Sequence, residues 1–263
     1  MDYRTLFDLT EKVALVTGST RGIGRAVAEA LARFGARVVI SSRKAEACRE
    51  VAGAIVRDGG EALAVPCNVS HGDQLDALVA RCLDHWGHVD VLVCNAAANP
   101  YMGPMAGASE AVYDKIMDTN VRYVLGLCNR VIPQMAERRD GAVIIVSSIG
   151  GLKGHRSLGL YAVSKAAEMQ LARNLAVEWG RCNVRVNCIA PGLVRTDFAR
   201  PLWEDPEALR EALDEYPLGR IGEPEDIAGA AVLLASRAGA FVSGQVLVVD
   251  GGATIAMGSQ RER

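Results

Sequence analysis

A tyrosine and a lysine four positions apart are the first residues in this sequence that could do chemistry. Tyr161 and Lys165 enclose the segment YAVSK. On a helix, this spacing places both side chains on one face, with their Cβ atoms about 5–6 Å apart. A neighbouring ammonium favours the phenolate and lowers the pKa of a tyrosine from its ordinary value of about 10. The pair therefore fits a general acid/base, although the same spacing is common on ordinary helix surfaces.

A hydroxyl that could assist this pair lies a short distance upstream. The apolar segment GAVIIVSS, residues 141–148, is typical of a buried strand and ends at Ser147 and Ser148. Tyr161 follows Ser148 by thirteen positions and opens the next predicted helix. Because ligands bind beyond the carboxyl ends of parallel strands, Ser148 could hydrogen-bond a substrate oxygen beside Tyr161.

A glycine-rich loop is the second candidate functional motif. The segment TGSTRGIG, from Thr17 to Gly24, connects the first predicted strand to the first helix. Its three glycines permit a sharp turn, and the helix N-terminus offers free N–H groups to a pyrophosphate. The spacing differs from the GxGxxG fingerprint, and glycines also serve purely structural turns. Its position at the first βα junction, where dinucleotides bind, favours a cofactor loop.

The elements that must position these residues alternate along nearly the whole chain. Apolar strand segments are predicted within 12–17, 36–42, 61–69, 89–97, 141–148, 184–191 and 244–252, and helices at 22–34, 44–58, 72–86, 109–138, 160–180 and 224–236. Short Val/Ile-rich strands separated by helices indicate a parallel sheet covered on both faces. Right-handed crossovers then predict a single-domain α/β fold: a doubly wound, Rossmann-like sheet of about seven strands.

The segment at 192–218 is the least regular part of the chain and contains three prolines. A long irregular segment inside a compact domain is typical of a mobile lid over a functional site. We therefore expect one catalytic domain over residues 1–263, with a substrate lid around 192–218. The polar tail after Thr254 is expected to fray.

Composition and charge argue against several classes of protein. Half of the 263 residues are hydrophobic and 23% are charged, as in ordinary globular proteins. A net charge of -2 provides no basic surface for nucleic acid or an anionic membrane. The apolar runs are shorter than the roughly 18 residues of a membrane span, and the charged N-terminus does not resemble a signal peptide.

The cysteines and histidines form no recognisable pattern of metal ligands. Seven cysteines are scattered without a CxxC pair, and the four histidines do not cluster with them. We therefore expect reduced, mostly buried thiols in a cytoplasmic protein, and no metal site.

Several motifs together resemble the short-chain dehydrogenase/reductase family. They are the glycines at 18, 22 and 24, the NAA at 95–97, Ser148, Tyr161 with Lys165, and the PG at 191–192, in the family's order and spacing. The resemblance covers nearly the whole chain. Within the family, the segments VVISSRK, NAAANP and APGLVRTDFARPLW resemble a branch of NADP-dependent carbonyl reductases.

The resemblance implies a catalytic role for four residues. Ser148 would orient the substrate carbonyl, Tyr161 would transfer the proton, and Lys165 would support Tyr161 and bind the nicotinamide ribose. Asn120, in the long predicted helix, would complete a proton relay through water. Taken alone, Asn120 could equally be a polar helix residue with satisfied hydrogen bonds.

The resemblance also implies an extended set of cofactor contacts, with Asn95 on the adenosine side and residues 191–196 at the nicotinamide carboxamide. The complete predicted set is Gly18, Thr20, Arg21, Gly22, Ile23, Gly24, Ser42, Arg43, Asn68, Val69, Asn95, Ala96, Tyr161, Lys165, Pro191, Gly192, Val194 and Thr196. Two positions depart from the family's pattern: Asn68 replaces a frequent Asp, and Ala97 replaces a frequent Gly. These departures leave the details of adenosine binding open.

The end of the second predicted strand bears on which cofactor is used. It reads ISSRK, without an acidic residue before Glu46. An acid at this point hydrogen-bonds the ribose 2′-hydroxyl of NAD, whereas an arginine accepts the 2′-phosphate of NADP. Ser42, Arg43 and Arg21 therefore form a predicted phosphate clamp and favour NADP(H). The alternative is that both arginines are simply solvated.

Four largely apolar residues are candidate substrate contacts: Tyr101, Met102, Phe198 and Trp203. They suit a medium-sized ketone or aldehyde, or else they pack the lid onto the body of the protein. The leading hypothesis is an NADP(H)-dependent reductase of ketones or aldehydes, reversible with alcohols, and the resemblance implies a homotetramer. The alternatives are a 3-oxoacyl-thioester reductase of fatty-acid type and a non-catalytic dinucleotide-binding scaffold.

Overall fold

The computed structural model describes residues 3–256, apart from the side chain of Ala208, so most of the predicted polar tail lies outside the described residues. Within this range the strands are β1 (Val13–Thr17), β2 (Arg37–Ser41), β3 (Glu61–Ala64), β4 (Val91–Cys94), β5 (Gly141–Val146), β6 (Val184–Pro191) and β7 (Val246–Val249). They form one parallel sheet in the order β3-β2-β1-β4-β5-β6-β7. The predicted doubly wound, Rossmann-like sheet of seven strands is confirmed.

The helices of the described residues alternate with these strands. They are α1 (Gly22–Arg33), α2 (Ala45–Arg57), α3 (Gly72–Trp86), α4 (Glu110–Met117), α5 (Tyr123–Arg138), α6 (Gly159–Trp179), α7 (Pro206–Leu213) and α8 (Pro224–Ala235). The predicted helix at 109–138 is interrupted by a π-helical turn, Asp118–Arg122, which connects α4 to α5.

The predicted irregular segment at 192–218 contains the short helix α7. Asp205 caps this helix by accepting a hydrogen bond from Glu207 N at 3.1 Å. Pro206 occupies the first turn, where a helix N–H has no partner and the fixed φ of proline is suitable. The prolines that indicated irregular structure therefore include one that starts a helix.

Side chains of each strand point alternately to two helical layers. Val13 and Leu15 pack with α3, α5 and α6, whereas Ala14 and Val16 pack with α1, α2 and α8. Every residue of β1 is buried. Burial on both faces explains why the strands are continuous apolar runs rather than alternating ones.

The chain changes direction across the sheet between β1 and β4, and a crevice at such a switch point binds ligands in doubly wound folds. Asn95, directly after β4, bridges this point. Its side-chain Nδ2 donates to Thr17 O at 3.0 Å and to Gly18 O at 3.2 Å. These bonds hold the ends of β1 and β4 beside each other.

All seven cysteines are free; six are buried and Cys182 is half-buried. Over residues 3–256, no group of three or more His, Cys, Asp or Glu side chains is arranged to hold a metal ion. The helices described here include none that is long and apolar enough to span a membrane.

Candidate active site

A cavity of about 550 Å³ lies at the carboxyl ends of β1, β2, β4 and β5. This is the edge at which doubly wound sheets bind ligands, and the volume is in the usual range for small-molecule sites. The glycine loop, the loops that follow the strands, the start of α6 and residues 196–198 contribute its lining. The cavity therefore brings together segments that are far apart in the sequence.

Most of the predicted cofactor residues line this cavity. They are Gly18, Thr20, Arg21, Gly22, Ile23, Gly24, Ser42, Arg43, Asn68, Val69, Asn95, Ala96, Tyr161, Lys165 and Thr196. Pro191, Gly192 and Val194 lie outside this lining. Pro191 and Val194 are buried, and Gly192 packs against Asp250.

The glycine loop has the shape that a dinucleotide phosphate requires. Gly18 and Gly22 have φ values of +65° and +52°, in the left-handed region that favours glycine. A Cβ atom on Gly24 would lie 2.3 Å from Asn95 Nδ2 and 2.4 Å from Gly18 O. Among the described residues, no side chain caps the N-terminus of α1, so its backbone N–H groups are available to an anion. These features fit the pyrophosphate of a nicotinamide dinucleotide.

The residues predicted to select the cofactor line the same cavity. Ser42 and Arg43 follow β2, and Arg21 belongs to the glycine loop. Arg21 Nη1 lies 3.5 Å from Asp197 Oδ2 in the 192–218 segment. Both side chains are more than half exposed, and such exposed ion pairs are weak. Arg21 can therefore exchange this partner for a phosphate at little cost.

Tyr161 and Lys165 lie in the first turns of α6. Lys165 is fully buried, and its Nζ lies 5.5 Å from the centroid of the Tyr161 ring. This ammonium donates to Val146 O at 3.1 Å and to the two carboxylate oxygens of Glu168 at 2.9 and 3.0 Å. The ammonium is thus held between the carbonyl at the end of β5 and the Glu168 side chain of α6, the helix that also carries Tyr161.

Burial raises the pKa of Tyr161 above its ordinary value. The charge of Lys165 lowers this pKa, as expected from the sequence, and so does a hydrogen bond with Ser148, whereas the carboxylate of Glu168 raises it. The net direction is therefore opposite to the expected one, because desolvation of a phenolate outweighs the stabilisation from a cation that Glu168 partly neutralises.

Ser148 occupies the predicted place at the end of β5. It caps a short 3-10 turn, Ile149–Gly151, by accepting a hydrogen bond from Gly150 N at 3.0 Å. Its side chain lowers the pKa of Tyr161, although Ser148 itself lies outside the cavity lining, next to Ser147, which belongs to it. A carbonyl oxygen placed between the Ser148 and Tyr161 hydroxyls could accept a hydrogen bond from each.

Asn120 is fully buried in the π-helical turn between α4 and α5. Its Nδ2 donates to Ala98 O at 3.1 Å and to Ser164 Oγ at 2.9 Å, and its Oδ1 accepts from Ala98 N at 2.8 Å. Ser164 Oγ in turn donates to Tyr161 O at 2.7 Å. Asn120 is therefore connected to the backbone of Tyr161 through one serine. Single π turns are frequent at functional sites.

The four candidate substrate residues differ in whether they line the cavity. Phe198 lines the cavity, and its ring centroid lies 6.2 Å from that of Tyr161. Trp203 donates its indole N–H to a backbone carbonyl of its own segment at 3.1 Å. The Tyr101 hydroxyl donates to the carbonyl three residues ahead at 2.9 Å, and Met102 is about half exposed. Phe198 alone of these four meets the cavity.

Part of the cavity lining was not predicted from the sequence: Lys44, Ala47, Cys67, Ser70, Ala97, Ala98, Lys115, Thr119, Val146, Ser147 and Asp197. Glu168 was not predicted as a site residue either. This residue lies three positions after Lys165 and seven after Tyr161, so the three share one helix face. One signal in the sequence could have indicated Glu168. It is a carboxylate on a helix face that continues with the apolar residues Met169 and Ala172, which are buried in the structure.

Comparison with known proteins places the chain among dehydrogenases. A family model described as "Enoyl-(Acyl carrier protein) reductase" matches residues 18–254. The Bos taurus "Dehydrogenase/reductase SDR family member 4" is 43% identical over 244 residues, which cover 93% of this chain and 88% of the relative. The human "Dehydrogenase/reductase SDR family member 2, mitochondrial" is 41% identical over 246 residues, with coverage of 94% and 88%.

Solved structures agree with this placement. A 7α-hydroxysteroid dehydrogenase complexed with NADH and 7-oxo glycochenodeoxycholic acid has a TM-score of 0.91 and 34% identity, with complete coverage of both chains. A gluconate 5-dehydrogenase from Burkholderia cenocepacia in complex with NADP and tartrate has a TM-score of 0.93 and 31% identity, covering 97% of this chain and 99% of the other. The matching family model and these relatives show that this chain, with its seven-stranded parallel sheet and its glycine loop, Tyr161 and Lys165 in one cavity, belongs to the short-chain dehydrogenase/reductase family of NAD(P)-dependent oxidoreductases.

Proposed function

We propose that this protein is an NADP(H)-dependent oxidoreductase that transfers a hydride between nicotinamide and the carbonyl carbon of a ketone or aldehyde, reversibly with the alcohol. The observation that carries this proposal is the buried Lys165 ammonium 5.5 Å from the Tyr161 ring, in a cavity that the glycine loop also lines. A non-catalytic dinucleotide-binding scaffold would have no need of an acid and a cation at this place.

The bound nicotinamide would supply the hydride in reduction and accept it in oxidation. Tyr161 would donate its phenolic proton to the carbonyl oxygen during reduction and take a proton from the alcohol during oxidation. Ser148 would hold the same oxygen through a second hydrogen bond. Lys165 would stabilise the Tyr161 phenolate and bind the nicotinamide ribose.

Asn120 would take part in two ways. Its hydrogen bond to Ser164, which donates to Tyr161 O, orients the start of α6. We further propose that the π-helical turn around Asn120 supports a water that relays protons toward Lys165. Since both ends of its side-chain amide already bond other groups, this relay would involve the Asn120 backbone.

The remaining cofactor contacts follow the same proposal. The glycine loop and the N-terminus of α1 would hold the pyrophosphate, and Asn95 would support the adenosine side. Thr196 would approach the nicotinamide carboxamide from within the cavity lining. Pro191, Gly192 and Val194 would shape that region from behind the lining.

Three cavity residues support NADP(H) over NAD(H). Arg43 and Ser42 follow β2, where the adenosine ribose binds in such sheets, and Arg21 is available from the glycine loop. Guanidinium groups form bidentate, charge-assisted hydrogen bonds with a phosphate. The NADH and NADP complexes among the related structures show that the family provides for both cofactors.

Kinetics with both cofactors test this preference. Wild type is expected to use NADPH more efficiently than NADH. The double variant Arg21→Ala/Arg43→Ala should lose about 10–100-fold in kcat/KM for NADPH, since each lost charge-assisted hydrogen bond costs about 1.5–3 kcal/mol and part of this cost is screened by solvent. Its kcat/KM for NADH should change little.

The matched control is Arg33→Ala/Arg57→Ala, which removes the same charge from exposed helix ends outside the cavity lining. It should leave both cofactor efficiencies unchanged. Equal efficiency of wild type with the two cofactors, or a larger value for NADH, would contradict the proposed preference.

The 192–218 segment would act as the substrate lid. Val194 and Gly222 form an isolated β-bridge at its base, while Phe198 reaches the cavity beside Tyr161. An apolar ring at this point suits a medium-sized ketone or aldehyde. Tyr101 and Trp203 hydrogen-bond carbonyls of their own segments and Met102 is half exposed to solvent, so these three would contact substrate only after a rearrangement.

The alternative is a 3-oxoacyl-thioester reductase, which would use the same acid, hydroxyl and cation. The description of the matching family model names an acyl carrier protein, and this mention of a carrier-bound substrate is the reason to test the candidate. A panel of free ketones, aldehydes and secondary alcohols, assayed beside carrier-bound 3-oxoacyl thioesters, separates the two. Turnover of the free carbonyl compounds with little thioester activity is the result expected for the leading proposal.

We also propose that the protein works in the cytoplasm on a small-molecule substrate, without nucleic-acid or membrane partners. The seven free thiols are compatible with a reducing compartment. A human relative is named mitochondrial, so organelles are the competing location.

A further inference from the structure

Glu168 is a buried carboxylate to which the proposed reaction assigns no role. It lies in α6, three residues after Lys165, and 1% of its surface is exposed. Both of its oxygens accept hydrogen bonds from Lys165 Nζ, at 2.9 and 3.0 Å. Because the desolvation of two buried charges offsets most of their attraction, stability is an insufficient reason for a carboxylate here.

The hydrogen bonds to Glu168 occupy N–H groups of the Lys165 ammonium that the proposed reaction needs. An ammonium has three N–H groups, and three acceptor atoms meet this one: two from Glu168 and Val146 O. A ribose hydroxyl or a Tyr161 phenolate would have to draw on the same N–H groups. Glu168 is therefore a competitor for the catalytic ammonium.

Charge balance leads to the same conclusion. Tyr161 and Glu168 are two acids beside the single ammonium of Lys165. If both acids were ionised, the cluster would carry a net negative charge in a site where Lys165 and Glu168 are fully buried. Burial accordingly raises the pKa of Glu168 to about 7, in spite of the adjacent ammonium. Burial also opposes the charge of Lys165, but Glu168 and Tyr161 hold its pKa above the ordinary value.

The other groups around Glu168 do not supply a second charge. The titratable groups near it are Cys94 on β4, Tyr123 and Cys128 on α5, Cys188 on β6, and Tyr161 and Lys165 on α6. A hydrogen bond with its neighbouring thiol raises the pKa of Cys94, and burial raises those of Tyr123 and Cys188. The raised pKa values keep Cys94, Tyr123 and Cys188 neutral near pH 7. The Ser147 hydroxyl completes the described surroundings of the Glu168 carboxylate.

We propose that Glu168 is a positioning residue. By accepting hydrogen bonds from Lys165, it weakens the stabilisation of the Tyr161 phenolate by this ammonium. It thereby sets the pH at which Tyr161 changes from proton donor to proton acceptor. The inference rests on the proposed acid/base role of Tyr161. An ionised Glu168 keeps Tyr161 protonated to higher pH, which suits carbonyl reduction. A neutral residue at position 168 allows the phenolate to form at lower pH, which suits alcohol oxidation.

The test is the ionisation of Tyr161 in wild type and in Glu168→Gln. The glutamine keeps the shape and one acceptor oxygen and removes the charge. Phenolate absorbance, titrated from roughly pH 7 to 11 and corrected with the matching Tyr161→Phe protein, isolates this tyrosine from the other five. The midpoint in Glu168→Gln should lie about one pH unit lower, at the lower end of the effect of a nearby charge.

Two further variants make the result specific. Glu178→Gln removes an exposed charge from the same helix and should leave the midpoint unchanged. Glu168→Asp draws the carboxylate away from Lys165 by about one methylene and should produce a smaller shift in the same direction. If the Glu168→Gln protein does not fold, the Tyr161 midpoint in Glu168→Asp tests the inference instead.

An unchanged midpoint in the folded glutamine variant, a shift to higher pH, or an equal shift in Glu178→Gln overturns the inference. The best alcohol of the substrate panel should show the same acidic shift in its pH profile of kcat/KM. The absorbance titration requires no turnover. It therefore separates a failure of this inference from a failure of the proposed function, which loss of activity in Tyr161→Phe tests independently.

Discussion

At the scale of single residues, the proposed chemistry depends on how Tyr161, Lys165 and Glu168 share one positive charge. The spacing of Tyr161 and Lys165 accounts for the attraction between phenolate and ammonium, which lowers the pKa of the tyrosine. The structure adds burial and a carboxylate 2.9 Å from the ammonium, and both raise it. The raised pKa favours the protonated phenol, which is the form that our proposal requires for a proton donor.

Removal of the Tyr161 hydroxyl tests its assigned role. Tyr161→Phe keeps the ring beside Phe198 but removes the transferred proton. Turnover should fall about 10²–10⁴-fold, the usual contribution of a general acid/base, while cofactor affinity remains. Steady-state kinetics and fluorescence titration with cofactor measure the two effects. The control Tyr113→Phe, at a position 47% exposed on α4, should keep wild-type turnover. Near-full activity of a folded Tyr161→Phe protein would contradict the mechanism.

At the scale of elements, the site depends on short segments that hold strand ends and helix starts together. Asn95 joins the ends of β1 and β4, and Asn120 joins the π-helical turn to α6 through Ser164. Gly24 allows α1 to start directly against Gly18 and Asn95. The geometry of the site is therefore fixed by contacts between elements and not by any one helix alone.

A pair of glycine-to-alanine variants tests this close approach. Gly24→Ala would place a Cβ atom 2.4 Å from Gly18 O, a backbone atom that cannot move without opening the loop. It should lower the free energy of unfolding by about 1–3 kcal/mol and weaken cofactor binding. Gly229→Ala lies in the middle of α8, where a Cβ atom meets no atom within 4 Å. It should raise the free energy of unfolding by about 0.5–1 kcal/mol. Denaturant unfolding measures both, and equal effects would contradict the steric argument.

At the scale of the whole molecule, exposed apolar side chains lie on the two long helices α5 and α6. Val163 and Val177 on α6 are 47% and 84% exposed, and Leu125 on α5 is 40% exposed. Such surfaces are costly in contact with water, and closed two-fold packing is the common way to bury them. The homotetramer that the resemblance implies would bury these side chains, and it stays a prediction.

Light scattering tests the assembly. The expected mass is about 112 kDa, four times 28.0 kDa, at micromolar concentration. Val177→Glu should lower this mass, because a two-fold interface would bring the new charge into an apolar contact. Phe34→Glu, on an exposed apolar residue at the end of α1, is the control and should leave the mass unchanged. A monomer mass that does not vary with concentration would contradict the proposal.

The sequence by itself determined the architecture, because local patterns of apolar residues are enough to predict the strands, the helices and their alternation. Continuous Val/Ile-rich runs such as β5 predict strands buried on both faces, and the helices between them require parallel order. The YAVSK spacing and the position of Ser148 at a strand end were also readable without coordinates. The π-helical turn and the short helix α7 were not predicted, because a one-residue change in helical hydrogen bonding and a proline at a helix start leave little mark on apolar periodicity.

Only the tertiary structure decided the electrostatics and the complete lining of the site. Glu168 is close to Lys165 along α6, but its desolvation depends on the strands and helices that cover that face. Lys115 and Thr119 reach the cavity because α4 folds back over the loops after β3 and β4, a contact between distant segments. A pKa responds to every charge and to the water excluded around it. The direction of the shift in the Tyr161 pKa therefore followed from packing, whereas the sequence alone was enough to propose Tyr161 as the acid/base.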